Sequence, residues 1–81
     1  MELKDTVDLM TSQNYKDRFK AEYYQLEERY NKLENILVKN EAGTLEFMPN
    51  CSMEILYEQY NAMGAYLRCL KVRAEMEGVA L

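Results

Sequence analysis

The chain has no histidine and no tryptophan, one proline, three glycines and two cysteines in 81 residues. Each scarcity removes a class of protein. Without histidine there is no imidazole for acid–base catalysis and none to hold a metal. Two cysteines alone do not complete a structural zinc site. Three scattered glycines do not make a phosphate-cradling loop. No apolar run approaches the ~20 residues of a membrane-spanning helix. The first residues, Met1-Glu2-Leu3-Lys4-Asp5, lack the charge and apolar core of a secretory signal. These absences point to a non-enzymatic protein of the cytoplasm, without cofactor or metal. Its two cysteines are expected as reduced, buried thiols.

Few breakers also mean long helices, and the apolar pattern agrees. Phe19, Tyr23, Leu26, Tyr30, Leu33 and Leu37 are spaced 4, 3, 4, 3, 4. Met53, Leu56, Tyr60, Met63, Leu67, Leu70 and Ala74 repeat at 3, 4, 3, 4, 3, 4. Both are heptad stripes of amphipathic helices. The expected class is all-α, in one domain covering residues 1–81. It divides into a short N-terminal segment over 1–12, helix one over 13–41, a connector over 42–51 and helix two over 52–78. Thr11 and Ser12 are candidate N-caps for helix one, and Ser52 or Asn50 with Pro49 for helix two. Gly43 and Gly78 suit helix stops. Leu45, Phe47 and Met48 make the connector apolar enough to fold over the end of the bundle.

A connector of about ten residues lets two helices of similar length return antiparallel, as a hairpin. Helix two carries a second stripe, Ile55, Ala62, Cys69 and Met76, each seven apart. Its apolar face is thus wider than one seam needs. That stripe is expected to pack on the N-terminal segment, on a second copy, or on both. A homo-oligomer closing as a helical bundle is the simplest arrangement.

Net charge is −4, from 14 acidic and 10 basic residues, which disfavours general or sequence-specific nucleic-acid binding. The hairpin would nevertheless gather Lys16, Arg18 and Lys20 beside Arg68, Lys71 and Arg73. Near a helix C-terminus, cations are explained by the helix dipole. Lys16, Arg18 and Lys20 lie near an N-terminus, where the dipole does not favour them. Tyr15 and Tyr66 fall in the same zone. Guanidinium groups suit phosphate, and a tyrosine ring suits a base. Tyr15, Lys16, Arg18, Lys20, Tyr66, Arg68 and Arg73 are therefore the candidate ligand-binding residues, for an anionic nucleotide. The plainer reading is a solvated surface with ion pairs. The opposite end is acidic, with Glu41, Glu46, Glu54 and Glu58.

The run from Tyr15 to Tyr23, continuing Leu26-Glu27-Glu28-Arg29-Tyr30-Asn31-Lys32-Leu33, and the run from Leu56 to Leu67 with Arg73-Ala74-Glu75, resemble a family of small phage and prophage proteins related to hypothetical proteins of crAss-like phages. Residues 15–78 carry the resemblance, and Gln59 to Tyr66 is its most specific part. Gly64 departs from the pattern, where a better helix former is expected. The resemblance implies a phage-encoded helical hairpin with no settled activity. Small phage proteins of this shape include sponges for cyclic nucleotide immune signals and anti-CRISPR inhibitors of defence nucleases. Three functions follow as expectations. One is a counter-defence protein that sequesters an anionic cyclic nucleotide without turnover. The second is an inhibitor that binds a host defence protein through its acidic end or its Tyr- and Met-rich face. The third is a structural or assembly accessory of the phage.

Overall fold

A computed structural model describes all 81 residues. A 3-10 turn, Leu3–Thr6, runs into α1, Val7–Met10; α2, Tyr15–Ala42, and α3, Met53–Glu77, make the body. There is no strand, so the class is all-α.

The caps explain the helix limits. Asn14, not Thr11 or Ser12, caps α2: its side chain accepts from the Lys16 backbone N–H at 2.9 Å. Ser12 is occupied otherwise, donating to Asp17 at 2.8 Å and accepting from the Asn14 N–H at 3.0 Å. Gly43 ends α2 in the left-handed region at φ 75°. Ser52 caps α3 by accepting from Ile55 N–H at 3.2 Å. Gly78, at φ 70°, turns the chain out of α3 so that Val79 N–H reaches the Ala74 carbonyl at 2.9 Å. The Val79 side chain is thereby buried in the core, the apolar contact that commonly accompanies this stop.

Partners along α2 and α3 run in opposite senses. Tyr15 meets Glu77, Glu22 meets Tyr66, and Glu34 meets Tyr60. The two heptad stripes face each other. Phe19 and Tyr23 of α2 join Leu67, Leu70, Ala74 and Val79 in one buried cluster, with Tyr24, Leu26 and Tyr30 packed against it. Leu33 and Leu37 are buried nearer the connector. Tyr30 and Tyr60 stack with ring centroids 4.7 Å apart. The molecule measures 43 × 25 × 18 Å.

Three local expectations are corrected. The N-terminal segment packs on α2 and makes no contact with α3. Its anchor is Thr6, fully buried, whose hydroxyl donates to the Leu3 carbonyl at 2.6 Å and accepts from Gln25 at 2.9 Å. It therefore leaves the Ile55, Ala62, Cys69, Met76 stripe exposed. The connector does not fold over the end as a unit: Leu45 is half-buried, but Phe47 and Met48 are exposed. Both thiols are free, yet neither is buried, because Cys51 precedes α3 and Cys69 lies on its outer face.

Candidate functional site

The seven sequence candidates separate into distinct places. Tyr15 and Arg73 form a clasp across the open end of α2 and α3. The Tyr15 hydroxyl donates to Glu77 at 2.7 Å and accepts from Arg73 Nη2 at 2.9 Å, while Arg73 Nε donates to the other Glu77 oxygen at 3.2 Å. The Arg73 guanidinium also lies 4.9 Å from the Phe19 ring centroid. This closed set of donors and acceptors holds Glu77 below the usual carboxylate range, chiefly through the Tyr15 hydroxyl and then through Arg73. It pushes Arg73 further up, through Glu77 first and Tyr15 second. The clasp covers Phe19, which is buried beneath it.

Arg18 and Tyr66 lie together, in a pocket of about 290 Å3 lined also by Met10, Glu22, Gln25, Leu26 and Arg29. Such a volume is near the lower limit for small-ligand sites, ~300 Å3. α2 supplies most of one wall because Arg18, Glu22, Gln25 and Arg29 recur at 4, 3, 4 along one helix face. Leu26 is half-buried, Met10 comes from α1, and Tyr66 comes from α3. The side chains are already oriented. Arg18 Nη1 donates to the Ser12 carbonyl at 2.8 Å, which leaves its remaining donors free. The Tyr66 hydroxyl donates to Glu22. Gln25 bridges Thr6 and the Met10 sulfur, at 2.9 and 3.4 Å.

Lys16, Lys20 and Arg68 line neither place; Lys16 and Arg68 are exposed and Lys20 is half-buried. Arg29 and Gln25 were not singled out from the sequence, although their spacing from Arg18 was a usable signal. A polar stripe beside an apolar one reads first as solvated surface. Its second role needed the position of Tyr66 and Met10.

Two guanidinium groups, one carboxylate, an amide and a tyrosine can bind an anion and a flat ring. No group of three or more His, Cys, Asp or Glu side chains is placed to hold a metal. No helix is long and apolar enough to cross a membrane.

Comparison with known proteins gives one finding. No curated protein and no solved structure matches the chain. A family model, Sequestin, matches residues 13–76, which take in α2, the connector and nearly all of α3. By that match over most of its length, the chain belongs to the Sequestin family.

Proposed function

We propose that this is a phage counter-defence protein that sequesters an anionic, cyclic nucleotide immune signal without turnover. The observation that carries the reading is the pairing of Arg18 and Arg29 around Tyr66 in one pocket. Guanidinium forks match phosphate oxygens, and the exposed ring of Tyr66 offers a stacking face. The family's name is compatible with a sequestering, binding role, and the resemblance over residues 15–78 supports a phage origin. Lys16, Lys20 and Arg68 stand outside the pocket lining, while Tyr15 and Arg73 brace the helices that form it. The pocket contains no activated nucleophile, so capture rather than conversion is its chemistry. In this reading the protein is a helical hairpin that works as a homo-oligomer in the bacterial cytoplasm.

The test is a thermal-shift and calorimetric screen against cyclic di- and trinucleotides and cyclic ADP-ribose derivatives. A ligand that binds only the folded chain raises its apparent stability. One ligand class should bind and be recovered unchanged, and Arg29→Ala should weaken it at least tenfold with the fold intact. No binding at concentrations well above micromolar overturns the reading.

A second reading has its own observation. Phe47 and Met48 are exposed at the acidic end, beside Glu46. An inhibitor of a basic nuclease would use that surface, and its binding would weaken with added salt.

A further inference from the structure

α3 has two apolar faces, and only one is covered. The outer face consists of Ile55, Ala62, Ala65, Cys69, Val72 and Met76, all exposed. Met76 is 81% exposed, and Ile55 and Val72 about half. With Glu58 between Ile55 and Ala62, these positions repeat at 3, 4, 3, 4, 3, 4, the spacing of a helix–helix seam. Nothing else in the chain lies on it, since the N-terminal segment packs only on α2.

Area and charge say what covers it. The chain exposes 5851 Å2, whereas a compact monomer of its mass exposes roughly 5,100 Å2. The excess is close to the ~800 Å2 that each partner gives to a standard interface. Along α3, Glu54 and Glu58 lie in the first two turns, while the second half carries Arg68, Lys71 and Arg73 against Glu75 and Glu77. Two such helices laid head to tail bring the acidic start of each against the half of the other in which cations outnumber carboxylates. Laid in parallel, like meets like. Of the two orientations, charge therefore favours the antiparallel one.

We infer that a second copy of this chain docks on this face, α3 antiparallel to α3, about a twofold axis near Ala65. In that register Ile55 faces Met76 of the second copy and Ala62 faces Cys69. The small side chains at the centre let the two helix backbones approach closely. Tyr66 borders both this face and the pocket, so the second copy stands beside the pocket's open side and narrows its mouth. That last step rests on the nucleotide-binding reading; the dimer does not.

Light scattering on the full chain without ligand tests the interface. The expected mass is twice the 9.6 kDa of one chain. Ala65→Glu and Val72→Glu, both at exposed sites, should halve that mass with helicity unchanged. A monomer at every concentration, or a dimer surviving both substitutions, overturns the proposal. Orientation is read separately in a Cys51→Ser background. Adding Ala62→Cys should give a covalent dimer on mild oxidation, and Cys69 alone should not. A Cys69 to Cys69 cross-link overturns the antiparallel register. Arg29→Ala should leave the mass unchanged. A stable dimer that binds no cyclic nucleotide keeps the interface and removes the pocket reading.

Discussion

The edge of the Tyr30 ring lies so close to Gly64 that a side chain there would press on it. A methyl group built on Gly64 lies 3.3 Å from Tyr30 Cε1 and 3.5 Å from its hydroxyl. The glycine is there for the neighbouring helix rather than for its own: it lets Tyr30 lie flat between α2 and α3 and stack on Tyr60.

Substitution at Gly64 should therefore depend on size. Gly64→Ala gains about 1 kcal/mol of helix propensity and loses some of it in shifting Tyr30, so stability should change by less than ~1 kcal/mol. Gly64→Leu forces the ring out of its stack and should cost about 1–3 kcal/mol. Urea denaturation of both variants checks the pair; equal costs would show that the close approach is not the reason for the glycine.

Leu70 is completely buried at the centre of the main cluster. Leu70→Ala should lose about 2–5 kcal/mol, the usual range for such a cavity. In a small domain, that is a large part of the total stability. The same substitution at Leu45, which is only half-buried, should cost clearly less. Thermal melts of the two variants compare them.

Thr6→Val keeps the shape of a buried residue but removes the hydroxyl that holds Leu3 and Gln25. The Gln25 amide loses its Thr6 acceptor. The expected cost is about 1–2 kcal/mol. Because the segment touches only α2, hydrogen exchange should quicken in residues 3–10 and stay unchanged in α3.

Two titrations act at opposite ends of the pH scale. Burial, with the Glu27 carboxylate that accepts its hydroxyl at 2.8 Å, pushes Tyr23 up to about 12. Its contribution is complete below the ordinary tyrosine value, near 10, and is lost as pH rises from there to about 12. Glu77 is held below its ordinary value, so its contribution is present above that value and fades as pH falls through the depressed one. Tyr23→Phe should remove the alkaline loss, and Glu77→Gln the acid one. Stability measured by denaturation across pH, with phenolate absorbance as a second readout, checks both. The Glu77 effect should shrink with salt, since that group is solvent-exposed.

Helices were legible where one rule sufficed. Heptad spacing found the buried faces of α2 and α3, and Gly43 and Gly78 marked both ends because a left-handed stop has few alternatives. Ser12 misled because any small hydroxyl before a helix looks like a cap; its engagement with Asp17 is invisible until the turn is built. Phe47 and Met48 misled because apolarity says what a residue would bury, not whether a surface is within reach. The basic cluster was read as one place, whereas its members separate. Periodicity locates Arg18, but it does not say that Arg73 is taken up by Tyr15 and Glu77. Arg29 was written in the same 3–4 rhythm as the core and passed for surface.

The attachment of the N-terminal segment to α2 alone has a dynamic consequence. Met10 is the part of the pocket lining that α1 supplies, and the side-chain hydrogen bonds from α2 to residues 3–10 of that segment come from Gln25 alone, to Thr6 and to the Met10 sulfur. Local opening of such a segment takes far less free energy than unfolding the body. One wall of the pocket can thus swing away and return while α2 and α3 stay paired, so entry to the cavity and integrity of the fold are governed by separate equilibria.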